Sequence, residues 1–121
     1  MAFHNELGEK GEKVAVKHLI NKSYLIKEQN WRFKNKEIDI ISFKDDILVV
    51  VEVKTRSSDE FEKPQDAVTK KKQKFIIEAT NAYIEKYNLD FDVRFDIISV
   101  LFKNNKFEIE HIEDAFQPLL R

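Results

Sequence analysis

Apolar positions recur every three or four residues from about Asn5 onward, at Leu7, Gly11, Val14, Ala15, His18 and Leu19. This spacing predicts a helix with Asn5 as N-cap, ending around Asn21 to Ser23. The period then shortens to two. Strands are predicted at Tyr24 to Phe33, Glu37 to Phe43 and Ile47 to Arg56, divided by the polar turns Lys34-Asn35-Lys36 and Lys44-Asp45-Asp46, so that the three form an antiparallel meander. In the third, Ile47-Leu48-Val49-Val50-Val51 is apolar at every position, the mark of a central strand covered on both faces. Helical spacing returns at Val68, Phe75, Ile76, Ala79, Ala82, Tyr83 and Tyr87. With Pro64 suited to a first turn, a helix from about Pro64 to Lys86 is predicted to cover the sheet. Two further strands, Phe91 to Phe102 and Phe107 to Ile112, flank the turn Lys103-Asn104-Asn105-Lys106, and the tail after Glu113 reads as a short helical turn. The order αβββαββ makes an α/β fold with a mixed central sheet and helices packed on it. No linker or repeat divides residues 1–121, so one domain is expected.

Chemistry enters where the buried strand turns polar. Glu52 and Lys54 are two apart and therefore share a face. Pairing the second and third strands about a centre near residue 45 sets Asp39 opposite Val51 or its neighbours, within one residue of Glu52. Two carboxylates and an ammonium then converge on one patch, which suits hydrolysis of a phosphodiester. Mg²⁺ is a hard cation commonly held by one or two carboxylates; it activates water and neutralises charge on phosphate. Asp39 and Glu52 are its expected ligands, with Mn²⁺ expected to substitute, and Lys54 would orient the water or offset developing charge. An isolated Glu-Val-Lys would be an ordinary surface pair. The aliphatic strand before it, Asp39 in register and a basic helix after it give it its meaning.

Composition narrows the alternatives. The absence of cysteine excludes disulfides, thiol nucleophiles and Cys-ligated metals, and the two glycines, Gly8 and Gly11, leave no Gly-rich phosphate loop. His4, His18 and His111 lack metal-ligand spacing, and Trp31, Phe33 and Phe43 are expected in the core rather than stacked on bases. The start lacks the apolar core of a signal peptide and no run is long enough to span a bilayer, so a soluble, cytoplasmic protein without membrane contact is expected. The net charge of −1 does not suggest a nucleic-acid partner, but residues 54 to 74 hold seven basic side chains against four acidic. Within that stretch Lys70, Lys71 and Lys72, with Arg56 and Lys63, are expected to contact phosphates without reading sequence. Arg32, Lys34 and Lys36 form a second candidate contact.

Glu37-Ile38-Asp39-Ile40-Ile41 followed by Val51-Glu52-Val53-Lys54-Thr55-Arg56 resembles the paired signature of the YraN-like family, small bacterial proteins of the PD-(D/E)xK restriction-endonuclease-like superfamily related to Holliday-junction resolvases. The resemblance spans nearly the whole chain: Gly8, Gly11, Glu12 and Ala15; Asn30 and Arg32; Pro64, Ala67, Val68 and Lys72; and Arg94-Phe95-Asp96. Lys36 and Glu62 stand where the family usually has glycine. The resemblance implies a restriction-endonuclease-like fold, Asp39 and Glu52 as metal ligands, Lys54 as catalytic lysine and Glu12 as the helix glutamate that completes the site. It also implies DNA rather than RNA, branched or single-stranded, as substrate. A symmetric homodimer would suit the cutting of two strands. Two other functions are compatible with the sequence: a nucleic-acid-binding module without catalysis, and a protein-assembly component.

Overall fold

The computed structural model describes residues 2–57 and 68–118, with side chains from residue 6 onward. Seven elements follow in the order αβββαββ: α1 (Ala2–Asn21), β1 (Leu25–Phe33), β2 (Lys36–Lys44), β3 (Ile47–Ser57), α2 (Lys70–Tyr87), β4 (Asp92–Lys103) and β5 (Lys106–Phe116). The strands form one sheet in the order β1-β2-β3-β4-β5. β3 and β4 run parallel and the other neighbours antiparallel. This is the mixed α/β arrangement of a restriction-endonuclease-like fold. The parallel pair follows from α2, because a helical crossover returns the chain to the same end of the sheet.

The apolar run of β3 divides between two cores. Leu48 and Val50 pack with Ile76, Ala79 and Tyr83 of α2, whereas Val49 and Val51 pack with Ala15 and Leu19 of α1. Each face of the sheet is therefore covered by one helix, as the unbroken hydrophobicity of the strand requires. At the end of α1, Ser23 takes the left-handed conformation (φ 71°), and Tyr24 N–H and Ser23 N–H bond to the carbonyls of Leu19 and Ile20 at 2.9 and 3.0 Å. Both orphan carbonyls are thereby satisfied. Asn104 and Asn105 both have positive φ, 53° and 61°, the requirement of a two-residue type I′ hairpin.

Three expected boundaries move. Asn5 lies inside α1, which starts at Ala2. The second helix starts at Lys70 with Thr69 as its cap, the Thr69 hydroxyl accepting from Lys72 N–H at 3.1 Å. Threonine supplies the acceptor that proline lacks; Lys63, Pro64 and Ala67 lie outside the described residues. The expected helical turn after Glu113 is instead the last part of β5, which ends with Phe116 paired to Phe95 and stacked on it at 5.1 Å.

Gly11 fixes how closely α1 meets the sheet. A Cβ at this position would fall 2.8 Å from Thr55 Cγ2 and 2.9 Å from Thr55 Cβ, and closer still to the hydroxyl. Gly8 has no such neighbour within 4 Å. Gly11→Ala is expected to cost about 1–3 kcal/mol by overpacking, whereas Gly8→Ala is expected to stabilise α1 by up to about 1 kcal/mol. Urea titration of both variants reads the difference, and equal shifts would contradict the close approach.

Candidate active site

The β2–β3 ladder runs from Lys44↔Ile47 to Ile40↔Val51, so the next residues outward are Asp39 and Glu52. Here Asp39 leaves the backbone pattern. Its Oδ2 accepts from Val53 N–H at 2.8 Å, an ionisable side chain taking up a strand amide. Glu52 extends the alternation of Leu48 and Val50 and so points to the α2 side; it is 5% exposed. The Asp39 and Glu52 carboxyls lie close enough to shift each other's protonation, while Glu52 Oε1 is buried with no hydrogen-bond partner. An unpaired buried carboxylate oxygen is costly and calls for an explanation at this position.

The electrostatics agree. Burial, and then the charge of Asp39, push the Glu52 carboxyl well above the usual range against the opposing pull of the Lys72 ammonium. Burial also raises Asp39, although the Val53 amide, the Glu52 side chain and Lys72 counteract it. Glu12 is raised by burial and by Asp39, with the Asn30 side chain holding it in the other direction. Asn30 itself sits in β1 at φ 53°. Glu12 thus lies within the field of the Asp39–Glu52 pair, although among the described residues no three acidic or histidine side chains already converge at metal-binding distances.

The pair opens into a cleft of about 260 Å³ lined by Asp39, Glu52, Val53, Lys54, Val68, Thr69 and Lys72. Asp39 and Lys72 also line a more open depression of about 460 Å³ with Arg32, Asn35, Lys36 and Glu37, so the two form one path past the carboxylates. Lys54 is exposed in this path, and Arg32 is held at its rim by an ion pair to Glu37 at 3.4 Å. Of the lysine run only Lys72 reaches the path. Lys70 lines a separate groove on α2 with Gln73, Lys74 and Ile77, and Lys71 is exposed. Arg56 is 4% exposed, so the surface phosphate contact expected of it gives way to burial.

A second polar cluster, missed from the sequence, lies on the α1 side of the sheet. Asp96, with 0% exposure, accepts from Arg94 Nε and Nη2 (both 2.9 Å), His111 Nε2 (2.8 Å) and Asp114 N–H (3.0 Å). With Nε2–H committed to Asp96, His111 Nδ1 is left to accept from His18 Nε2–H at 3.2 Å. His18 and His111 are 93 positions apart, which is why spacing gives no hint of the pair. Arg94-Phe95-Asp96 was the one legible trace of the cluster.

A model of the uncharacterised protein family UPF0102 matches residues 11–100. The chain is 52% identical to a UPF0102 protein of Flavobacterium johnsoniae, the match covering 96% of this chain and 98% of the relative. It is 51% identical to one of Flavobacterium psychrophilum over the same shares, 96% and 98%. It is 48% identical to one of Bacteroides thetaiotaomicron, over 99% of each chain. Among the described residues no helix is long and apolar enough to cross a membrane.

Proposed function

Because the chain belongs to the uncharacterised protein family UPF0102, whose name assigns no activity, we propose from its own geometry that it is a Mg²⁺-dependent nuclease cutting phosphodiester bonds of nucleic acid. The observation that carries this is the Asp39–Glu52 pair: a buried carboxyl beside a half-buried one, one Glu52 oxygen without a partner, in a cleft that also holds Lys54 and Lys72. The residues fit a hard divalent cation. Oxygen donors are what Mg²⁺ prefers, and a cation between them would relieve the repulsion and the unpaired oxygen together. Asp39 and Glu52 would hold it, and Glu12, whose carboxyl feels the Asp39 charge, would complete the site. When bound, Mg²⁺ supplies Lewis-acid neutralisation at the phosphate and eases deprotonation of the attacking water.

The chain's own groups do the rest. The Val53 amide fixes one Asp39 oxygen and thereby the direction of the carboxylate. Lys54, exposed on the same strand face as Glu52, offers a compact ammonium to the attacking water or to the charge that develops on the phosphate. Lys72 and Arg32 line the path on which a strand's phosphates would lie. The resolvase-like resemblance favours DNA over RNA, with branched or single-stranded forms preferred and a symmetric dimer as the acting species.

Incubating the protein with labelled single-stranded, duplex, flap and four-way-junction DNA, with Mg²⁺, with Mn²⁺ or with chelator, tests the proposal. Cutting of at least one form in either metal, abolished by chelator and reduced about 10²-fold or more in Lys54→Ala, is expected. Salt-sensitive binding without cutting would replace the nuclease with a binding module. Neither binding nor cutting would leave the assembly component.

A further inference from the structure

Lys36 opens β2 and Lys72 lies in the first turn of α2, yet both bring their ammonium groups to one ring. Lys36 Nζ lies 5.5 Å and Lys72 Nζ 5.9 Å from the centroid of Phe75. Both lysines line the open arm of the path, beside Arg32 and Asp39, and Lys72 also lines the arm that contains Glu52 and Lys54. Two like charges so placed repel each other, and the Phe75 face offsets only part of that repulsion. Neighbouring cations are neutralised differently: Arg32 pairs with Glu37 at 3.4 Å and Lys34 with Glu78 at 3.2 Å. Among the described residues neither Lys36 nor Lys72 takes part in an ion pair within 4 Å, and Lys72 reaches the carboxylates only through its field. An anion is the missing partner of such a pair.

We propose that Lys36 and Lys72, gathered over Phe75, form a subsite for a backbone phosphate next to the phosphate that is cut. The proposal rests on the nuclease reading of the Asp39–Glu52 pair and adds a direction to it: the strand runs from the carboxylates out past β2 and the start of α2. Lys72, common to both arms, stands between the two phosphates, and Lys36 serves only the outer one. The subsite reads no bases, because ammonium groups over a partly buried ring offer charge without a base-edge pattern.

Fluorescence anisotropy of a labelled single-stranded oligonucleotide, titrated without divalent metal at several salt concentrations, separates these roles. Lys36→Ala is expected to weaken binding about fivefold and to lower the salt slope by about 0.7, the value for one phosphate contact on a single strand. Lys36→Glu is expected to weaken it further. A single uncharged methylphosphonate linkage, moved along the strand, is expected to weaken wild type where it falls on the outer phosphate and to have a smaller effect there on Lys36→Ala, which keeps only the Lys72 contact. Because Lys36 is exposed, both variants should melt as wild type does. Unchanged affinity, slope and linkage profile in Lys36→Ala, with salt-sensitive binding by wild type, would overturn the subsite and leave the nuclease reading standing. No salt-sensitive binding by wild type would overturn the nucleic-acid reading and the subsite with it.

Discussion

Replacing Asp96 with alanine is expected to destabilise the protein by about 3–5 kcal/mol, the range for removing one partner of a buried charge pair. The carboxylate has no solvent exposure, and four donors converge on it from Arg94, His111 and the Asp114 amide. Without it, the Arg94 guanidinium, 18% exposed, keeps only the Tyr24 hydroxyl at 2.6 Å and a looser pairing with Glu113 at 3.6 Å. His111 would lose the acceptor that sets its tautomer, and with it the link through His18 to α1. Asp96→Asn keeps the shape and should cost less. Burial alone would raise the Asp96 carboxyl, but the His111, Arg94 and Asp114 hydrogen bonds hold it below the ordinary 3.8. Its stabilisation is therefore fully present above pH 3.8 and is lost as pH falls through the lower folded value. Urea titrations at pH 7 should show the alanine loss, and a series below pH 4 should show wild type converging on Asp96→Asn. A loss under about 1 kcal/mol at pH 7 would show that the cluster is not what ties β4, β5 and α1 together.

Glu52→Gln is expected to have opposite effects on stability and on activity. The Glu52 carboxyl is held well above its ordinary value by burial and by Asp39, so the fold favours the protonated acid. That contribution is present below the unfolded value of 4.5 and is lost as pH rises through the raised folded one. At pH 7 without metal, the neutral glutamine should therefore melt above wild type. Adding Mg²⁺ or Mn²⁺ should raise the wild-type melting temperature, because ligand that binds only the native state stabilises it. The variant should show little or none of that gain. Loss of a direct ligand should lower cleavage by at least about 10²-fold, beyond the 10–100-fold that outer partners of a metal site typically cost. Stability given up at a site in return for function is a recurrent signature of active centres. Equal metal-induced shifts in wild type and variant would place the cation elsewhere.

Much of the fold was legible because it follows from local periodicity. The continuous run Ile47 to Val51 identified β3 as the doubly covered strand, and the two polar turns fixed the β2–β3 register closely enough to bring Asp39 beside Glu52. Where the reading departed from the structure, long-range partners decided. The tail after Glu113 has weak strand character alone, but Asp96 holds the Asp114 amide and Phe95 stacks on Phe116, which extends β5 past the predicted end. Pro64 drew the start of α2 too early because a local preference for first turns says nothing of where a cap is formed. In the lysine run, sequence could not tell which side of α2 faced the carboxylates, and only Lys72 does. The convergence of Lys36 with Lys72 on Phe75, like that of His18 with His111, joins residues far apart in the chain and so left no mark in spacing.

The central claim is that the Asp39–Glu52 pair cuts phosphodiesters with a divalent metal, and single-turnover cleavage by wild type and Glu52→Gln, compared at equal DNA affinity, tests it most directly. Metal-dependent cutting by wild type and a rate at least about 10²-fold lower in the variant, with binding and folding intact, is the predicted result. Cutting at the same rate by both proteins would contradict it.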